Sequence, residues 1–370
     1  MASSGWTSGF AMVLGGLMSV AGLLAVPAGA ERLPGNVRPE HYALRLTPDL
    51  GKATFAGEET IDVVVTAPTK TVTLDALEIA FQTVEAEVGG KKLAATVTLD
   101  AAKETATFTF AEALPAGKVE LRIKYTGILN DKLRGFYLSK TKRRNYAVTQ
   151  FESTDARRAF PSFDEPAMKA TYDVTLVVAK GDTAISNTNI VADVPVGDGT
   201  SHAITFARTP RMSTYLLAFL VGDFECLKGE SDGVPIRVCA TPDQVQYGKF
   251  ALEATEYALH YYDTYFGIKY PMPKLDMIAL PDFEAGAMEN FGAITYRETA
   301  LLLDESHASV DARNGVSQVV THEMAHQWFG DMVTMQWWDN VWLNEGFATW
   351  MEAKPVEQWK PEWKIGRAHV

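Results

Sequence analysis

Apolar and polar residues alternate in short runs through the first half of the chain. This period of two predicts strands at 41–47, 59–66, 71–77, 105–110, 118–125, 171–179 and 202–208. Gly, Pro and Asp turns separate the runs, and no internal repeat or low-complexity tract stands out. The spacing predicts an all-β sandwich domain over residues 31–225. After about residue 226 the texture changes. One more strand at 235–240 leads into a helical run at 241–266, with Thr241 as N-cap, Pro242 at the first helical position, Asp243 in the first turn and Gly267 beyond its end. The aromatic and Leu residues of that run (Tyr257, Leu259, Tyr261, Tyr262, Phe266) suit core packing, not a cofactor box. A strand at 274–280 and a stretch holding Gly286 and Gly292 come next. Two further helices are expected, one at 316–329 closed by Gly330 and one at 340–353 ending before Pro355.

The first of these two helices carries His322-Glu323-Met324-Ala325-His326. Residues four apart on a helix share a face, with Cβ atoms about 5–6 Å apart, so both imidazoles can reach one metal ion at about 2.0–2.1 Å. Glu323, one step round the helix, can sit beside the metal without ligating it, as in the H-E-x-x-H zinc pattern. Eighteen residues separate His326 from Glu345 in the second helix, and two antiparallel helices would turn that carboxylate back to the histidines. Three protein ligands with a fourth position open to water is the arrangement of catalytic zinc. His41, His202, His260, His307 and His369 have no such company and read as solvated or hydrogen-bonded side chains.

Composition narrows the partners. At 370 residues and 47% hydrophobic content the chain can build two domains with real cores. A net charge of −12 lacks the basic footprint of a nucleic-acid binder. Residues 1–30 contain no charged side chain; an apolar run at 10–26 is followed by Ala28-Gly29-Ala30, a small-residue cleavage pattern. A secretory signal removed after Ala30 is expected, although no Lys or Arg precedes the run. An uncleaved membrane anchor is the alternative, on a run that misses the roughly 20 residues of a full span. Export, to a periplasm or the cell exterior, follows under either reading. The two cysteines, Cys226 and Cys239, either bridge the arms of a hairpin turning at Glu230-Ser231-Asp232-Gly233 or remain two separate buried thiols.

Two further segments point to a family. Gly286-Ala287-Met288-Glu289-Asn290 places a glutamate 34 positions before Glu323, and Gln150-Phe151-Glu152 leads into Ala156-Arg157-Arg158-Ala159-Phe160-Pro161-Ser162-Phe163-Asp164-Glu165-Pro166. With the His322 segment and Trp342-Leu343-Asn344-Glu345-Gly346-Phe347-Ala348-Thr349-Trp350, the chain resembles the aminopeptidase N family of gluzincin metallopeptidases over residues 31–364. The resemblance implies a saddle-like N-terminal β domain followed by a thermolysin-like α/β catalytic domain over 226–364, incomplete in this chain. It implies one zinc ion on His322, His326 and Glu345, with Glu323 as general base. It gives Glu289, together with Glu152, the free α-amino group of a peptide substrate. Gln150 would line the first side-chain pocket, and Gly286, Ala287, Met288 and Asn290 would contact substrate. The chemistry is coherent, because carboxylates in a partly buried cleft bind an ammonium by charge-assisted hydrogen bonds.

The family also carries an oxyanion-stabilising tyrosine and a large helical domain downstream of the third ligand, both expected beyond position 370. Tyr296 lies upstream, and its position alone does not make it a substitute. Residues 365–370 resemble a translated sequencing-library adapter and are set aside from the fold. The reading is therefore a secreted zinc aminopeptidase, against two alternatives: a non-catalytic peptide-binding protein on the same fold, and a thermolysin-like endopeptidase.

Overall fold

The structure is a computed structural model that describes residues 32–364. The expected signal segment at 1–30 and the tail at 365–370 lie outside the described residues.

The strands of the first half begin with β1 (Val37–Asp49), β2 (Thr54–Val65), β3 (Thr69–Asp75), β4 (Ala80–Val88), β5 (Lys91–Asp100), β6 (Thr105–Leu114) and β7 (Gly117–Ile128), and the expected runs fall in β1, β2, β3, β6 and β7 of these. They continue as β8 (Gly135–Lys140), β9 (Asn145–Gln150), β10 (Thr171–Ala179), β11 (Thr183–Ser186), β12 (Ile190–Val196), β13 (Ser201–Phe206) and β14 (Phe219–Gly222). Ten of them form one sheet in the order β12-β13-β10-β1-β2-β7-β4-β5-β6-β3, and β11-β14-β9-β8 form a second. The layers meet through aromatic rings. Phe55 of β2 lies 5.2 Å from Phe136 of β8, which in turn packs edge-on to Phe219 of β14 at 4.9 Å. Each ring so buried contributes about 1.5–3 kcal/mol. Two glycines make room for the aromatics inside the large sheet. In the β2–β7 register Gly57 faces Tyr125 and Phe55 faces Gly127. A Cβ on Gly57 would fall 2.3 Å from the Tyr125 ring, and one on Gly127 would fall 2.2 Å from the Phe55 ring.

The second half is built on a five-stranded sheet. Its first two strands, β15 (Glu225–Ser231) and β16 (Val234–Ala240), make a hairpin whose two turn residues, Asp232 and Gly233, have φ of 52° and 84°. Two positive φ values define the tight turn that matches strand twist. The hairpin register sets Cys226 opposite Cys239, and the two form a disulfide, which settles the pairing left open by the sequence. The sheet continues with β17 (Leu275–Leu280), β18 (Ala287–Met288) and β19 (Ala293–Arg297) in the order β15-β16-β17-β19-β18. Because β16 and β17 are parallel, the chain must cross over between them, and α1 (Lys249–Phe266) is that crossover. The short α2 (Glu298–Leu301) leads to α3 (Val310–His326) and α4 (Trp342–Trp359). A two-layer β domain followed by an α/β region is the architecture expected from the sequence. Among the described residues no helix is long and apolar enough to cross a membrane.

Three local expectations need correction. The helix expected from Thr241 begins only at Lys249; Thr241 instead accepts turn hydrogen bonds from Gln244 and Val245, and a 3-10 turn covers Val245–Gly248. Gly248 is where this tight turn presses on β16, since a Cβ there would meet Val238 at 2.7 Å. Helix α3 starts six residues before the expected 316, capped by the Ser309 hydroxyl, which accepts from Ala312 N–H at 3.1 Å. Helix α4 runs through Pro355 where a stop was expected. Proline cannot donate to the carbonyl of Met351 four residues back. The Tyr262 hydroxyl of α1 gives its one proton to the Thr321 carbonyl at 2.8 Å and lies 3.5 Å from that of Met351; the face of α4 that carries Met351, Pro355 and Val356 is buried, and this packing holds the helix through the proline.

Candidate active site

Helices α3 and α4 bring the predicted metal residues together. Contacts run from His326–Glu345 to Thr321–Glu352, so the helices are antiparallel. His322 Nε2 and His326 Nε2 stand 3.2 Å apart, and Glu345 Oε2 lies 3.4 Å from the first and 3.6 Å from the second. Ligands at about 2.0–2.1 Å from a tetrahedral ion are separated by about 3.3–3.4 Å, so the trio fits a zinc-sized cation. The opposite ring nitrogens are already engaged. His322 Nδ1 lies 2.9 Å from Glu352 Oε2, and His326 Nδ1 lies 3.1 Å from the Phe329 carbonyl. Such acceptors hold the proton on Nδ1 and leave the Nε2 lone pairs facing the common point.

Electrostatics tell the same story. Burial works to lower the pKa of His322, but the carboxylates of Glu345 and Glu352 outweigh it and raise it to about 9. Burial likewise opposes protonation of His326, yet Glu289, Glu345 and Glu323 bring it up to about 10. Burial resists ionisation of Glu345 as well, but its hydrogen bonds to the two imidazoles hold it well below the usual carboxylate range. The trio is thus a collector of positive charge, whether protons or a metal ion.

Glu323, 8% exposed, is lifted by burial to about 8 while the two imidazoles pull it down. A cation at the trio draws it further towards the carboxylate.

Glu152 and Glu289, the residues expected at an amine site, arrive from two other directions. Glu152 follows the end of β9, and Glu289 follows β18, whose residues Ala287 and Met288 pair with Tyr296 and Thr295 of β19. Oxygens of Glu152, Glu289 and Glu345 lie within 4.8 Å of one another. Among the described residues neither Glu152 nor Glu289 has an ion pair with Lys or Arg. Burial raises the pKa of both, and the Glu289 and Glu345 charges push Glu152 higher still.

The rest of the segment is tied into its surroundings by hydrogen bonds. Asn290 Nδ2 donates to Thr295 Oγ1 at 3.1 Å, and the Gly286 carbonyl accepts from Arg297 N–H at 2.9 Å. From the β domain, Asn187 Nδ2 donates to the Phe291 carbonyl at 2.9 Å. The buried Lys274 ammonium donates to the carbonyls of Gly292 at 2.7 Å and Ser186 at 2.6 Å. Gln150, 8% exposed, keeps a buried Oε1 with no hydrogen-bond partner. Tyr296 points its hydroxyl at Met277 Sδ, 3.8 Å away within the sheet.

Sequence reasoning missed Glu352, Lys274 and Asp331. Glu352 could have been found, because it stands seven residues after Glu345, two turns along one helix face. Nothing in the sequence tied Lys274 or Asn187 to this segment, since the atoms they hold there are backbone carbonyls remote in sequence. Asp331 is fully buried with both oxygens unpaired, and burial together with the Glu289 charge pushes its pKa well up.

Comparison with known proteins agrees with this geometry. Residues 38–216 match the peptidase M1 N-terminal domain, and residues 250–370 match the peptidase family M1 domain. The chain is 46% identical over 345 residues to aminopeptidase 2 of Candida albicans, covering 92% of this chain and 37% of that protein. It is 44% identical over 347 residues to aminopeptidase M1 of Arabidopsis thaliana, covering 91% of this chain and 39% of that one. An aminopeptidase N of Acetobacter pasteurianus is 44% identical over 331 residues, 87% of this chain and 91% of the relative. The chain therefore spans less than two fifths of the length of the first two relatives. With matching domains in the same order and identity above two fifths across nearly the whole chain, the protein belongs to peptidase family M1.

Proposed function

We propose that the protein is a zinc-dependent aminopeptidase that releases the first residue of peptides with a free N-terminus. The observation that carries this reading is the meeting of Glu152, Glu289 and Glu345 within 4.8 Å, beside a histidine pair. His322, His326 and Glu345 would hold one zinc ion. Bound there, zinc supplies a Lewis acid and lowers the pKa of a coordinated water to about 7.

The chain's own residues do the rest. Glu323 accepts a proton from the attacking water and returns it to the departing amine. Glu289 and Glu152 take the substrate ammonium by charge-assisted hydrogen bonds. They thereby fix how far a peptide enters, so that the first peptide bond meets Glu323. Glu352 and the Phe329 carbonyl keep the imidazoles in the tautomer the metal needs. The reading includes export, which the Cys226–Cys239 disulfide supports as a feature of oxidising compartments.

The test is zinc stoichiometry measured beside hydrolysis of alanine p-nitroanilide. One zinc per chain, lost in His326→Ala together with hydrolysis, is expected. Turnover undiminished in the metal-free variant would overturn the proposal.

A further inference from the structure

Glu289 and the metal trio lie on different elements, so something must set the distance between them. The residue after the second histidine, Gln327, is fully buried at the C-terminal end of α3. Its Nε2 donates to the Glu289 carbonyl at 2.9 Å, and its Oε1 accepts the Gly292 N–H at 3.0 Å. One amide therefore satisfies a backbone acceptor and a backbone donor on either side of Asn290, as a neighbouring strand would. The other side chains that grip this segment, Asn187 and Lys274, come from the β domain and the catalytic sheet. Among the described residues, Gln327 supplies the hydrogen bonds that join the segment to the metal helix.

The segment has little freedom to adjust around a lost bond. Gly292 holds φ at 77°, and a Cβ there would fall 2.6 Å from the Asn187 carbonyl. The requirement on position 327 is also narrow. Glutamate at the same length accepts but cannot donate, methionine fills the space and does neither, and asparagine is one methylene short.

We propose that Gln327 is a positioning residue that sets the distance from the Glu289 carboxylate to the metal ligands, and so the depth at which a substrate ammonium is held. The idea rests on the aminopeptidase reading of Glu289. Because Gln327 adjoins His326 in the chain, the metal ligand and the ammonium carboxylate move as one body. A displacement of about 1 Å in such a contact can cost about a hundredfold in rate.

The test is a double-mutant cycle with Gln327→Met and Glu289→Ala in the zinc-loaded protein, following hydrolysis of alanine p-nitroanilide. Gln327→Met should keep one zinc per chain and lower kcat/KM by about ten- to a hundredfold, mainly through KM. In the Glu289→Ala background the same change should have little further effect, because the two act on one contact. Should Gln327→Met fold poorly, Gln327→Glu, which keeps the acceptor for Gly292 N–H, carries the same cycle. Additive losses in the cycle, or an unchanged KM in Gln327→Met where Glu289→Ala raises it, would overturn the proposal. A Glu289→Ala variant with unaltered KM would instead remove the reading of Glu289 itself, and this proposal with it.

Discussion

Two buried charge clusters in this protein are built on opposite plans. In the β domain, Arg157 is 6% exposed and lies 3.0 Å from Asp164, 3.1 Å from Glu104 and 3.5 Å from Asp75. Asp164 accepts again from Thr214 at 2.6 Å. A second compensated set ties Asp276 to Lys274 at 2.7 Å and to Arg237 at 2.6 Å. In the cleft, Glu152, Glu289, Glu323 and Asp331 interact with one another; among the described residues none of the four has an ion pair with Lys or Arg, and Lys169 is turned to the backbone carbonyl of Asp331. A buried carboxylate left unpaired is unfavourable unless it is protonated or meets a cation. The first plan holds the fold together. The second leaves an electrostatic demand that a metal ion and an ammonium can meet.

If that contrast is sound, removing charge from each cluster should have opposite consequences. The largest effect belongs to Glu323. Glu323→Gln should lower hydrolysis by roughly a hundred- to ten-thousandfold, with zinc still bound and folding unimpaired; turnover and metal content measured on one sample decide it. Next comes Arg157→Met, which strands Asp164 and Asp75 without their partner. It should destabilise the protein by about 3–5 kcal/mol, read as a lower urea midpoint. An unchanged midpoint would erase the distinction between the clusters.

Glu289→Gln should act the other way and raise the Tm of the metal-free protein by a few degrees, because it removes a carboxylate whose charged form burial disfavours. The same variant should bind alaninamide more weakly by calorimetry. The smallest effect concerns Asp75, whose pKa burial raises to about 7, with Arg157 pulling it down and Asp164 pushing it up. Unfolded aspartate titrates near about 4, so over that window the folded state holds a proton that the unfolded chain releases. This contribution to stability is fully present below the unfolded value and declines as pH rises to about 7. Asp75→Asn should flatten that part of the Tm–pH curve; an unaltered slope would locate the titration elsewhere.

The two regions also differ in how far the sequence disclosed them. Alternation exposed β1, β2, β3, β6, β7, β10 and β13, whereas β8, β9 and β14 are buried on both faces and carry no such period. Helical spacing exposed His322, Glu323 and His326, and a second helix supplied Glu345. Helix α3 begins earlier than its apolar pattern suggests, because it runs through Gly315, a residue of low helix propensity, back to its cap at Ser309. What stayed hidden depends on partners brought close only by folding. Helix α4 continues through Pro355 because the face carrying Met351, Pro355 and Val356 is buried, and Lys274 matters because it meets Ser186 and Gly292. The Cys226–Cys239 pairing needed the hairpin register. Family motifs, not periodicity, brought Glu152 and Glu289 into view.

The most direct test of the account compares alanine p-nitroanilide with its N-acetyl derivative on the zinc-loaded protein. The carboxylates of Glu152 and Glu289 predict turnover of the free amine and little or none of the acetylated compound. Equal rates on the two substrates would contradict the claim that this cleft reads an ammonium.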